Sequence, residues 1–224
     1  TTTEKEECPC QLMERPNIWK KAETARWMVH SLDWGVLSTI STRKTTTTVD
    51  EKETINTPVP FGNVYSFVDG PCHNSTGVLY FYGTHLDQSF IDRDMNPIVS
   101  FTLSENSLSS VCGVHGGPLP ACRPSGWGDP ENPVCARLTV TGRLEVVDNG
   151  VDEYEHEYGF AQSALFERHP SMREWPTNHD WVIAKLVPED IWLIDYFGGA
   201  TILSPETYFG VDVMILGDDD EEGR

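Results

Sequence analysis

The chain has 224 residues, 38% of them hydrophobic, and sets 16 Lys and Arg against 35 Asp and Glu for a formal net charge of -19. That length supports one domain with a sizeable core, while so acidic a surface repels nucleic-acid phosphates and anionic membranes and argues against both as partners. No stretch approaches the roughly 20 apolar residues of a membrane span, the chain opens on TTTEKEE rather than on a signal peptide, and self-repulsion of the acidic body would ease at about pH 4 to 5, which suits an acidic compartment.

Residues 1–16 read as a polar, flexible tail containing Cys8-Pro9-Cys10, and 17–213 as a single domain. Between Trp19 and Leu32 the residues Ala22, Ala25, Met28, Val29 and Leu32 recur at helical spacing, with Asn17 available as a cap. Asp33-Trp34-Gly35 ends that helix, and Val36–Thr42 has strand propensity. Residues 43–61 are Thr-rich, charged and aperiodic and read as a surface insertion. Short β-rich runs follow at Gly62–Asp69, Gly77–Tyr82, Pro97–Leu103 and Ala136–Val147. Consecutive strands without alternating helices predict an antiparallel barrel or sandwich. Asp152–Arg168 carries Phe160, Ala161, Ala164 and Leu165 at helical spacing and is expected to pack on that barrel. Arg168–Gly199 holds three of the seven tryptophans and reads as a buried pair of strands, Val182–Val187 and Ile191–Tyr196. A closing turn at Pro205–Phe209 and an acidic tail at 214–224 complete the chain.

The chain has no nucleophile elbow, phosphate loop or zinc-protease motif, and Gly116-Gly117 and Gly198-Gly199 read as turns. Glu153, Glu155, His156 and Glu157 lie adjacent on a helix and point in different directions, so they do not converge on a metal. His30, His169 and His179 sit beside aromatic residues and read as core or loop histidines bonded to the backbone rather than as catalytic groups. The Gly- and Pro-rich stretch from Cys112 to Cys135 needs a staple to be ordered, and a Cys112–Cys135 bridge is expected there in preference to zinc. Cys72 and Cys122 pair with each other or with the tail, since six cysteines allow 15 connectivities by counting alone. Asn74-Ser75-Thr76 is a glycosylation acceptor in a secretory setting.

DWGVLSTIST (Asp33–Thr42), FVDG (Phe67–Gly70), Asn96-Pro97 leading into SFTLSE, ALFERHPSM (Ala164–Met172), WPTNHDW (Trp175–Trp181) and IWLIDYFGGA (Ile191–Ala200) occur in this order. On these segments residues 22–213 resemble the CREG family of secreted and lysosomal glycoproteins. The Thr-rich insertion, the long Gly-Pro loop and the single sequon depart from the family pattern. The resemblance implies a split antiparallel β-barrel of the FMN-binding, pyridoxamine phosphate oxidase-like kind with flanking helices, and a homodimer. It also implies that flavin binding has been lost, so that no cofactor and no catalytic residue are expected.

The residues agree with that expectation, because Arg93 is the only Lys or Arg between Gly62 and Ser104, against Asp69, Asp87, Asp92 and Asp94. A phosphate would want several cations or backbone amides there. The loop after Cys112, with Gly116, Gly117 and Trp127, is long enough to fill the vacated space. The expected function is therefore non-enzymatic. It is that of a glycoprotein of the lysosomal lumen or extracellular space, recognised through the Asn74 glycan by a receptor of the mannose-6-phosphate type. The alternatives are an FMN-dependent oxidoreductase or a small-ligand module on the same barrel.

Overall fold

The computed structural model describes residues 15–43, 46–49, 53–56, 58–108, 129–150 and 152–211. The elements in chain order are α1 (Lys21–Ser31), β1 (Trp34–Ser41), β2 (Thr46–Val49), β3 (Glu53–Asn56), β4 (Val59–Val68), β5 (Leu79–Thr84), α2 (Gln88–Met95), β6 (Ile98–Ser104), β7 (Arg137–Val146), α3 (Asp152–Arg168), β8 (Trp181–Ile194), β9 (Thr201–Leu203) and α4 (Pro205–Phe209). Strands β5, β4, β1, β6, β7 and β8 pair side by side, and β5 pairs again with β8, which closes a six-stranded antiparallel barrel. Closure removes the exposed sheet edges along which chains aggregate. The last strand, β9, adds only to the Ile191–Leu193 end of β8.

Alternation along each strand decides what fills the barrel. In β1 the odd-numbered Leu37, Thr39 and Ser41 are buried while Trp34 and Ile40 face out. Phe67, Phe81 and Phe101 meet inside at centroid distances of 5.0 and 4.9 Å for the pairs sharing Phe101, edge to face in both. Helix α1 covers this interior with Trp27, Met28 and Val29, and Tyr208 of α4 joins the same core. Helix α3 instead packs outside the barrel, where Ala161, Ala164 and Leu165 meet Val68, Tyr80 and Ile183. Two apolar clusters therefore share the strands.

Several sequence expectations need correction. The 43–61 stretch contains a hairpin, with Thr46 opposite Asn56 and Val49 opposite Glu53, and β4 already begins at Val59. Asn17 does not cap α1. Its Oδ1 accepts from the Trp19 amide, and the helix starts after Lys20 without a side-chain cap. The end of the polar tail is docked, since Arg15 Nε lies 2.9 Å from the buried Glu105 carboxylate. The two strands expected in 182–196 are one, β8, despite Pro188. Thr141 pairs with Asp190 but Gly142 with Pro188, so Glu189 is the extra residue of a bulge, where a missing amide proton is tolerated. A Cβ on Gly142 would lie 2.0 Å from the Val187 carbonyl oxygen, which explains glycine opposite the bulge.

No element was expected over 85–96, where α2 forms. Asp87 caps it by accepting from the Ser89 amide at 2.8 Å, and Phe90 enters the core against Gly83. Asp92 ties α2 to β1. Its buried carboxylate accepts from Thr39 Oγ1 (2.7 Å), the Thr42 amide (2.7 Å), Thr42 Oγ1 (2.8 Å) and Gln88 Nε2 (2.6 Å). Burial pushes its pKa up, but these donors outweigh burial and hold it below the usual carboxylate range. A carboxyl whose folded pKa is depressed stabilises the fold above its unfolded pKa and loses that contribution as pH falls through the folded value. Asp92→Ala is thus expected to cost about 3 kcal/mol at neutral pH by stranding the donors. The gap to wild type should narrow below about pH 4, as read by urea unfolding across pH.

Candidate functional site

β4 ends in Phe67-Val68, and Asp69, the residue that follows, is fully buried. One of its carboxylate oxygens lies 2.7 Å from His30 Nδ1 of α1, and the other accepts from Ser75 Oγ (2.6 Å) and the Gly77 amide (3.3 Å). The Asp69 carbonyl accepts from the Thr76 amide (3.1 Å) and from the Thr76 hydroxyl. His30 Nε2 lies 3.2 Å from the Cys72 carbonyl, so both ring nitrogens face acceptors.

Two arginines brace the cluster. Arg168, at the end of α3, donates to the Leu32 carbonyl (3.2 Å) and to Asp33 Oδ1 (2.9 Å), with its Nη1 3.8 Å from Asp69. Arg26 of α1 donates to the Ser75 carbonyl (2.8 Å) and to the Val211 carbonyl (3.1 Å), its guanidinium resting over Tyr208. Gly77 has φ +77°, and a Cβ there would lie 2.5 Å from Arg26 Nε. His169 Nε2 lies 3.0 Å from the Phe67 carbonyl, and burial holds its pKa below the usual imidazole value. The segments DWG, FVDG and ERHPSM thus meet in space, and they clamp the loop 71–77 so that Asn74 is exposed on it.

A second feature lies on the barrel's outer face. Val64, Val36, Thr102, Thr139, Trp192 and Ile202 are successive cross-strand partners and form an uncharged row over β4, β1, β6, β7, β8 and β9. Val64 is 62% and Ile202 60% exposed, which marks both ends of the row as open apolar surface. Beside Val64 lies an open groove of about 460 Å³ lined by Asp33, Trp34, Val64, Ser66 and His169. Charge appears only in the flanking rows, at Arg137 beside Ser104 and Ile194 and at Asp190 beside Thr141.

Residues 16–210 match the family model described as "CREG, beta-barrel". The chain belongs to the CREG family. It is 39% identical over 188 residues to Protein CREG2 of Mus musculus, covering 84% of this chain and 56% of that one. It is 35% identical over 193 residues to Protein CREG1 of Homo sapiens, covering 86% and 75%. The chain thus spans little more than half the length of the CREG2 relative. Among solved structures, a heme-binding protein from Mycobacterium smegmatis aligns at TM-score 0.58 and 16% identity, over 90% of this chain and 63% of that one. A protein of unknown function from Agrobacterium tumefaciens, Atu2129, aligns at 0.56 and 16%, over 86% and 62%. Both show the split-barrel fold.

Flavin is the cofactor implied by this barrel's resemblance, and the described residues of this CREG chain do not fit its phosphate. Arg93 is committed to the Leu144 carbonyl (2.9 Å) and Asp94 (2.8 Å). Arg15, Lys20, Lys21, Arg168 and Lys185 are each paired with a carboxylate. Arg137 lies beside the Trp34 end of β1 and Arg43 beyond its Ser41 end, so these two do not converge on one anion.

The other expected site residues fall as follows. Asn74 is exposed, Cys135 is buried just before β7, and Cys72 and Cys135 each take part in a disulfide. Cys112, Cys122, Gly116, Gly117 and Trp127 lie outside the described residues, as does the occlusion ascribed to that loop. Glu157 receives Lys185 Nζ at 2.7 Å and the Tyr80 hydroxyl at 3.0 Å, and no described group of three or more His, Cys, Asp or Glu could hold a metal. His30 departs from expectation in bonding to the Asp69 side chain as well as to backbone. Sequence reading missed Asp69 as the hub, although Asp69 and Arg168 were both inside the family segments.

Asp69→Ala would leave His30 and Arg168 buried beside a vacancy and is expected to cost about 3–5 kcal/mol. Faster hydrogen exchange at the Thr76 and Gly77 amides would report release of the Asn74 loop.

Proposed function

We propose that this CREG chain acts by recognition rather than catalysis, as a homodimeric glycoprotein of the lysosomal lumen or the extracellular space. The observation that carries this reading is the uncharged row from Val64 to Ile202 on a protein whose net charge is -19. An acidic molecule that keeps one strip across its barrel free of charge has a surface suited to burial against protein. A second copy is the occupant it favours, because a two-fold axis can lay a strip on itself and keeps the charged remainder of both copies out of the contact.

The exposed Asn74 is the residue proposed to carry glycan, which a receptor of the mannose-6-phosphate type would read during sorting. The Asp69 clamp supports this assignment by presenting Asn74 away from the core. A Cys112–Cys135 bridge, and pairing of Cys72 and Cys122 with each other or with the tail, belong to the same secretory reading.

The groove beside Trp34 and Val64 favours a second reading, in which a small ligand occupies it. Heme binding by the Mycobacterium smegmatis neighbour is a property of that protein, and the groove is where a comparable role would be sought here.

Val64→Glu places a charge in the strip and is expected to shift the protein from dimer to monomer in light scattering with the near-UV circular dichroism spectrum unchanged; a persistent dimer would refute the face. Asn74→Gln is expected to lower the apparent mass by one glycan in secreted protein and to reduce lysosomal delivery. Unchanged mass and delivery would remove Asn74 from the reading. Titration with FMN is expected to leave the visible spectrum additive, and saturable binding would favour the oxidoreductase alternative.

A further inference from the structure

The segment WPTNHDW and the end of β7 build a site that neither the uncharged strip nor the Asn74 loop uses. Trp181 begins β8, and its indole is pinned. Its Nε1 donates to the Pro176 carbonyl at 2.7 Å, and the ring stacks on Tyr82 at 4.8 Å and 19°. Trp175 lies 5.0 Å from the same ring, so the three side chains form one block. Against it, where β7 runs out into Asp148-Asn149-Gly150, lies a cavity of about 300 Å³. Trp181 and Tyr158 supply its aromatic surface, Val147 and Val182 its aliphatic surface, and Asp148 and Asn149 its rim.

The polar groups on that cavity are uncommitted. Asp148 Oδ1 accepts from the Gly150 amide at 2.9 Å, which fixes the carboxylate and leaves Oδ2 without a partner among the described residues. The Asn149 amide and the Tyr158 hydroxyl likewise have no hydrogen-bond partner among the described residues. The wall therefore offers a fixed aromatic surface together with one acceptor-only group and two groups that both donate and accept.

We propose that this cavity binds one neutral sugar ring. A pyranose has an apolar face of C–H groups that suits an aromatic surface, and hydroxyls that each give and take a hydrogen bond. Asp148 Oδ2, the Asn149 amide and the Tyr158 hydroxyl match those hydroxyls. A cationic ligand would use the ring faces and Asp148 but leave the Asn149 donors idle. An anionic sugar would be repelled by Asp148 and by the acidic body as a whole. The volume lies at the small end of ligand sites, which limits the occupant to a single ring rather than a flavin or a heme.

The test is saturation-transfer NMR on the full chain produced without its own glycan, using methyl α-mannoside, methyl β-galactoside, N-acetylglucosamine, mannose 6-phosphate and choline as probes. At least one neutral sugar is expected to bind with a Kd on the order of millimolar, as one small ring at one site does. Asn149→Ala and Tyr158→Phe, both at the cavity rim, are each expected to weaken it about tenfold with unchanged near-UV circular dichroism. Mannose 6-phosphate is expected to bind more weakly than methyl α-mannoside. The site is overturned if no neutral sugar saturates by about 50 mM, if both variants bind as the parent does, or if choline binds in preference.

Discussion

A single buried carboxylate holds this molecule's separate parts in register. Asp69 sits where β4 leaves the barrel, and α1, the 71–77 loop and the end of α3 all present a donor to it or to its close neighbours. A carboxylate removed from water is costly unless it is fully hydrogen-bonded and opposed by positive charge. That requirement is directional in a way that apolar packing is not. His30 must enter from α1, Ser75 and Gly77 from the loop, and Arg168 from α3, so meeting it sets how the outer elements sit on the barrel. The barrel itself rests on nondirectional terms, with Phe67, Phe81 and Phe101 filling it in edge-to-face contacts.

The distribution of charge separates the surface into regions with different capacities. Described cations are mostly neutralised locally, by carboxylates or by carbonyls, so the acidic excess is left to face solvent. Against that background the row from Val64 to Ile202 stands out as neutral, crossing six strands at nearly one height. A flavin phosphate, the group that the resemblance implies, would call for a concentration of cations. Here Arg93 is turned to Leu144 and Asp94, and the remaining guanidiniums do not gather. Among the described residues the cations that such a phosphate would need are instead paired with carboxylates and carbonyls.

Strand content was legible because half-buried strands alternate, and the runs at 62–69, 97–103 and 136–147 lie within two or three residues of β4, β6 and β7. Helix α3 was legible from its apolar spacing alone. Helix α2 was not, since its one deeply buried aromatic, Phe90, makes no periodic stripe, and its start depends on the Asp87 cap and its hold on Asp92 accepting from β1. Pro188 read as a break because proline has no amide proton, yet the bulge at Glu189 and the absence of a side chain at Gly142 let one strand run through it. His30 and His169 were legible as structural residues, but the partner that matters for His30 lies 39 positions away.

By itself the sequence determined the family, the predominance of antiparallel strands, the acidity and the shortage of phosphate-binding cations, because these follow from local residue choice and ordered motifs. Tertiary structure alone decided that β5 returns to β8 to close the barrel, that Asp69 and Arg168 share one buried cluster with the partly exposed Asp33 at its edge, and that Val64 and Ile202 lie in a single uncharged row. Each of these joins residues far apart in the chain. Only strand register and the hydrogen-bonding needs of a buried charge bring them together.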